Sequence, residues 1–162
     1  MIHLIVGNTG AGKTTYSQNL KKSTQGIIFS IDTWNNTLFM PDKTDSDGLD
    51  WFLERIERAE TLIQQICLQL NDSGMDAILD LGLSKYEHRE KFRQFALKNN
   101  ISLQLHFLDV AKNIRKNRIS QRNIEKGNTF EFEVSDANFE FMETWFEKPS
   151  DRELEQAIIT TS

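Results

Sequence analysis

Cysteine is nearly absent: Cys67 is the only one in 162 residues. That excludes a disulfide framework and a cysteine-rich metal site. Cys67 itself falls on the apolar stripe of a predicted helix, where it reads as a small buried hydrophobe. Long apolar runs are also missing. No stretch approaches the roughly 18 residues that a membrane-crossing helix needs, and no charged-then-apolar leader precedes the first hydrophobic segment. A soluble, cytoplasmic protein is expected. A basic excess is lacking too. The net charge of −5 argues against general affinity for nucleic acid, which requires a basic footprint. No internal repeat, linker or low-complexity tract divides the chain. Its length suits one domain, residues 1–162, with a proper core.

What the chain does have is the octapeptide Gly7-Asn8-Thr9-Gly10-Ala11-Gly12-Lys13-Thr14. It fits the phosphate-binding pattern G-x-x-x-x-G-K-[ST]. The apolar run at residues 2–6 reads as a short buried strand, and residues 13–22, without Pro or Gly, read as a helix. A strand turning sharply into a helix leaves several backbone N–H groups aimed at one spot, with the positive end of the helix dipole behind them. Anionic phosphate is the natural occupant. Glycines in such a loop permit backbone angles and close approaches that a Cβ blocks. Residues Gly7, Asn8, Thr9, Gly10, Ala11, Gly12, Lys13, Thr14 and Thr15 are therefore the predicted nucleotide-binding segment. Lys13 is expected to reach the β- and γ-phosphates, and the Thr14 hydroxyl to ligate Mg²⁺.

Further strands are predicted at residues 26–31, 75–81 and 101–108, with a short final one at 157–160. Apolar positions recur at helical spacing over 49–70, and Ser84-x-x-Glu87 reads as a capping box opening the next helix. Residues 33–48, with Pro41, lack clear periodicity and read as a loop with short helical turns. A basic helix is expected over 110–123, and Ser135 as the cap of another bearing Phe139, Met142, Trp145 and Phe146. Strands separated by helical crossovers give a three-layer α/β fold, a parallel sheet with helices on both faces.

Ligands in such sheets sit beyond the carboxyl ends of the strands, and Asp32, Asp80 and Asp109 end strands in this reading. Asp80 is placed either to orient Mg²⁺ or its water shell or simply to close a strand and cap a turn. Asp32 can accept the proton of an incoming hydroxyl, with Trp34 as an apolar wall, or can cap a helical turn. Asp109 reads as a cap. Arg115, Arg118 and Arg122 share one helix face, which suits either a phosphoryl group in transfer or plain solvated surface. Charge is uneven here: residues 111–126 hold Glu125 alone against six cations, whereas 129–155 hold nine carboxylates against Lys148 and Arg152. His3, His88 and His106 have no metal-ligand spacing and read as structural. Phe130, Phe132, Phe139, Phe141, Trp145 and Phe146 read as core and lid packing. No guanine-specific Asn/Thr-Lys-x-Asp motif follows the fourth strand, which favours ATP.

The phosphate loop, then Ser30-Ile31-Asp32, Ile78-Leu79-Asp80-Leu81-Gly82 and Arg118-Ile119-Ser120-Gln121-Arg122-Asn123, together resemble the small P-loop kinases. That group of ATP-binding kinase-like proteins is related to zeta toxins, chloramphenicol phosphotransferase, gluconate kinase and, more distantly, adenylate kinase. The resemblance runs over nearly the whole chain. It implies a sheet of order 2-3-1-4-5 with a short lid at about residues 115–134, of which 127–134 are lid tip or hinge. It implies ATP and Mg²⁺ as cofactors, Lys13, Asp32 and Arg122 as catalytic residues, Arg118 stacked on adenine, and Thr14 with Asp80 at the metal. The implied activity is transfer of the γ-phosphate to a hydroxyl of an unidentified small molecule. A nucleotide-switched regulatory NTPase is the alternative class, and a nucleic-acid 5′-hydroxyl kinase fits the acidic charge poorly.

Overall fold

A computed structural model describes residues 1–127, 130 and 132–161. Five parallel strands form one sheet in the order β2-β3-β1-β4-β5: β1 (Ile2–Val6), β2 (Gly26–Ser30), β3 (Asp76–Asp80), β4 (Leu103–Asp109) and β5 (Ile158–Thr161). Every residue of β1 is buried. A central strand covered on both faces has no solvent side, which explains its apolar run rather than an alternation.

The two faces of β1 feed two different cores. Leu4 and Val6 pack with Phe29, Leu79 and Phe107 against α3 (Leu49–Asp72) and α4 (Tyr86–Lys98). Ile5 points the other way, joining Ile78 and Leu108 under α1 (Lys13–Ser23) and α5 (Lys112–Glu125). Cys67 lies in the first core, 1 % exposed, and burial pushes its thiol up to about 11. It is inert packing. His3 shares the second face, and the register that sets Ile5 beside His106 brings the two imidazoles together. His3 Nδ1 and His106 Nε2 are 3.0 Å apart, and the Tyr16 hydroxyl of α1 lies 2.8 Å from His106 Nδ1. Burial, then the neighbouring His3, depress His106 to about 4. Both histidines are buried, and nothing in their sequence spacing announced the contact.

Some boundaries differ from expectation. The second strand stops at Ser30, and the chain turns at once into α2 (Ile31–Trp34), a π-helical turn (Asn35–Phe39) and a 3₁₀ turn (Met40–Asp42). The Ser30 hydroxyl caps α2 by accepting from Thr33 N. Asp32 thus neither ends a strand nor caps a helix; it stands in the first turn of α2. Trp34 does not wall the ligand cavity: it packs edge-on against Phe29, centroids 6.0 Å apart, on the core.

The Ser84–Glu87 capping box does not form. Ser84 Oγ donates to Gly82 O, and the α4 N-terminus is served from far along the chain, Tyr86 N donating to Glu147 Oε2 at 2.9 Å. Asp109 is not a cap either; it accepts from Lys148 Nζ at 2.8 Å, while α5 opens without a side-chain cap. Ser135 does cap its helix, α6 (Asp136–Trp145), accepting from Asn138 N at 3.1 Å. Beyond it, α7 (Asp151–Leu154) carries Glu153, which clamps the buried Arg89 of α4 with contacts of 2.6 and 3.2 Å. That pair pins the carboxyl-terminal segment against α4, where β5 can join β4. No helix among the described residues is long and apolar enough to cross a membrane.

Candidate active site

The chain leaves β1 at Val6 and enters α1 at Lys13, so residues 7–12 must reverse direction within one short loop. Two glycines make this possible: Gly10 and Gly12 have φ of 81° and 93°, where side chains are strained. At Gly10 there is also no room, since a Cβ there would lie 2.7 Å from Arg115 O. Ala11 N donates to Asn8 O at 3.0 Å and closes the turn. The ammonium of Lys13 folds over the loop and donates to Gly7 O at 2.9 Å.

The neighbouring strand supplies the acid. β3 runs beside β1 with Leu4 opposite Leu79, so Asp80 emerges alongside the loop. The Thr14 hydroxyl donates to Asp80 Oδ2 at 2.9 Å. Burial raises the Asp80 carboxyl above its ordinary value, against the opposing pull of Lys13 and the Thr14 bond. A divalent cation held by the Thr14 hydroxyl with Asp80 behind it would reverse that shift. Among the described residues no cluster of three or more His, Cys, Asp or Glu side chains could hold a metal by itself. A hydroxyl and one acid suit an ion that takes its other ligands from phosphate and water.

One cavity of about 660 Å³ brings the pieces together. Its wall contains Gly7, Thr9, Gly10, Gly12, Lys13, Thr14 and Thr15 from the loop, Asp80 from β3, Asp32 from α2, and Arg118 and Arg122 from α5. Asn8 and Ala11 stand behind this wall. Ala11 is 3 % exposed, and the Asn8 amide donates to Glu143 Oε1 at 2.6 Å. Arg122 Nε is buried with no hydrogen-bond partner among the described residues, a vacancy an anionic oxygen satisfies. The backbone cradle, an ammonium and two guanidinium groups at one wall fit a triphosphate.

Arg115 separates from its two helix-mates. It is 6 % exposed and makes a bidentate bond to Glu143 of α6, at 2.6 and 2.9 Å, while also donating to Thr9 O and Val110 O. The Arg115 bonds depress the Glu143 carboxyl. Lys112 meets Glu140 at 2.7 Å and Lys116 meets Asp136 at 3.3 Å. The uneven charge of the sequence is thus a complementary seam between α5 and α6. Its inner member, Glu143, binds the phosphate loop through Asn8 and through Arg115. Sequence reasoning missed Glu143, and the acidic block after residue 129 was the available signal. It also missed Ser84, Asn138, Phe141 and Met142 as cavity walls, and it placed Phe132 in packing although that ring is 47 % exposed on the wall. The expected lid segment is described except for Asn128, Thr129 and Glu131, on which part of the expected hinge falls. Asn123 fastens its far end, exchanging two bonds with the Val134 backbone.

Comparison with known proteins agrees with this geometry. The sequence profile of the AAA domain family matches residues 2–149. Among solved structures the chain is similar to Chaetomium thermophilum Kti12 in complex with ADP-AlF3, at 12% identity and a TM-score of 0.70, covering 99% of this chain and 89% of that one. A sugar kinase from Janibacter sp. HTCC2649 superposes with a TM-score of 0.64 at 17% identity, over 99% and 84% of the two chains. The Mycobacterium tuberculosis APS kinase CysC, in complex with AMPPNP and APS, does so with 0.64 at 16%, over 99% and 87%. No match was found among curated proteins. The parallel sheet of order 2-3-1-4-5, the glycine-shaped phosphate loop and the profile match lead to one conclusion: the chain belongs to the AAA domain family and has the fold of the small P-loop kinases.

Proposed function

We propose that this protein is an ATP-dependent phosphotransferase that moves the γ-phosphoryl group to a hydroxyl of a small molecule. One observation carries the reading: a single cavity joins the phosphate loop, Asp80, both outer arginines of α5 and the carboxylate of Asp32. Lys13 and the α1 N-terminus bind the phosphates, and residues 115–134 act as the lid. Mg²⁺, when bound at Thr14 and Asp80, neutralises phosphate charge. Arg118 lies against the nucleotide base, and Arg122 stabilises charge on the transferring group. The acceptor oxygen bonds to the γ-phosphorus as the bond to the β,γ-bridging oxygen breaks, its electron pair leaving with ADP. The hydroxyl proton passes to Asp32 and then to solvent.

A regulatory NTPase that signals through lid position is the second reading, and Glu143 favours it by tying the loop to α5 and α6. Asp32→Asn separates the two. Ser30 does the capping in α2, so the change leaves the helix intact. Mg·ATP affinity should survive while transfer to the acceptor falls by about 10²–10⁴. An acceptor screen read by ATP consumption, repeated with the variant, decides it; consumption that no acceptor stimulates and that the variant keeps in full favours the switch. Nucleic acid is disfavoured as acceptor by the charge of −5.

A further inference from the structure

Both peptide groups of Thr9 are held by side chains that stand outside the cavity wall. Its N–H donates to Asn8 Oδ1 at 2.7 Å, and its carbonyl accepts from Arg115 Nη1 at 3.1 Å. Thr9 and Gly10 line the cavity, whereas Asn8 and Arg115 do not. A trans peptide is planar, with its C=O and N–H pointing to opposite sides. The Thr9 carbonyl points at Arg115, so the Gly10 N–H in the same plane points away from it. α5 also backs Gly10 so closely that a Cβ there would lie 2.7 Å from Arg115 O and 2.9 Å from Ile119 Cδ1. The cavity is the open side.

One carboxylate governs both contacts to Thr9. Glu143 Oε1 accepts from Asn8 Nδ2 at 2.6 Å and from Arg115 Nη1 at 2.6 Å, and Oε2 accepts from Arg115 Nη2 at 2.9 Å. The Arg115 bonds depress the Glu143 carboxyl and keep it ionised, and a carboxylate can only accept. The Asn8 amide must therefore turn its nitrogen to Glu143, which leaves its oxygen for the Thr9 N–H. The guanidinium nitrogen that Glu143 grips, Nη1, is the one that holds Thr9 O.

We infer that Glu143 is a positioning residue for the phosphate loop: through Asn8 and Arg115 it fixes the peptide groups on either side of Thr9 and so aims the Gly10 N–H at the bound phosphates. The inference rests on the loop as the seat of the triphosphate. A donor already aimed needs no ordering when the nucleotide arrives, and this appears as affinity. Calorimetric titration of Mg·ATP, well below every melting temperature, should compare the wild type with Glu143→Gln, Asn8→Ala and the double variant. Cys67→Ala, in the core behind the sheet, serves as the control for a general loss of stability. Glu143→Gln keeps the side chain's shape but not the charge that fixes the guanidinium, and should bind about tenfold more weakly. Asn8→Ala leaves the Arg115–Glu143 pair whole and should bind about threefold more weakly. The double variant should fall short of the product of the two, since both act through Thr9. Amide exchange at Gly10 should quicken in each single variant and stay unchanged in Cys67→Ala, which should bind as the wild type does. Wild-type affinity in either single variant, losses that multiply in the double variant, or an equal loss in Cys67→Ala would overturn the inference. A wild type that binds no Mg·ATP would instead defeat the triphosphate site itself, and the inference with it.

Discussion

The phosphate loop and the α5–α6 seam touch through Glu143 and Arg115, yet they are held by different physics. The loop is local: six residues between strand and helix, two glycines at positive φ, and one carbonyl capped by its own lysine. The seam is long-range: Arg115 to Glu143, Lys112 to Glu140 and Lys116 to Asp136 join residues at least 20 positions apart. Local geometry can be exchanged for ligand binding with little effect on the fold. The inner member of the seam cannot, because Arg115 is buried and loses its counter-charge if Glu143 goes.

Arg122→Ala should break the comparison most sharply from the ligand side. The side chain faces the cavity rather than the seam, so turnover should fall on the order of 10³-fold with a smaller loss of nucleotide affinity and little change in melting temperature. Steady-state kinetics on the acceptor found by the screen measures it; an unchanged rate would return this face of α5 to solvated surface.

Glu143→Ala should cost about 3 kcal/mol in chemical denaturation, since it strands a buried guanidinium that keeps only its two carbonyl partners. It should also loosen the loop, read as faster amide exchange at Thr9, whose N–H rests on the Asn8 side chain that Glu143 holds. Lys112→Ala, at an exposed member of the same seam, should cost under about 1 kcal/mol. Equal losses in the two variants would erase the distinction between buried and rim pairs.

Acid should attack the sheet before the seam. His106 is held neutral in the fold at about 4, against roughly 6.5 in an unfolded chain. Its lowered value means that the unfolded state takes up the proton first. Stability is therefore full above about pH 6.5 and declines toward pH 4, by on the order of 2–3 kcal/mol. His106→Gln should flatten that window. Glu143, depressed by Arg115, loses its share only at lower pH, as protonation passes through its folded value. Ser135→Ala should cost about 1 kcal/mol through loss of the α6 cap, read in the same denaturation experiment.

The same contrast decides what the sequence discloses. β1, the phosphate loop and α1 were legible because strand, turn and helix signals are all carried within residues 2–23. The parallel sheet followed from the alternation of elements, and its order of strands from resemblance. Capping was legible at Ser135, whose partner is three residues away, and illegible at Tyr86, whose partner Glu147 lies 61 residues on. Asp109 was misread for the same reason, its partner Lys148 being 39 residues distant. Asp32 was placed at the cavity but on the wrong element, because an apolar run does not mark where a strand becomes a helical turn. Arg115 could not be told from Arg118 and Arg122 until the acidic block of α6 was folded against it.

Calorimetric titration of Mg·ATP into the wild-type protein and into Lys13→Ala, with thermal melts of both, tests the nucleotide site most directly. Among the described residues the hydrogen bond of Lys13 is to Gly7 O, beside its charge interaction with Asp80, so the melts should coincide within a degree or two. The wild type should bind, and the variant should bind at least about tenfold more weakly, the cost of one charge-assisted phosphate contact. Equal affinity in the two proteins, with equal melts, would contradict the assignment of this loop as the seat of the triphosphate.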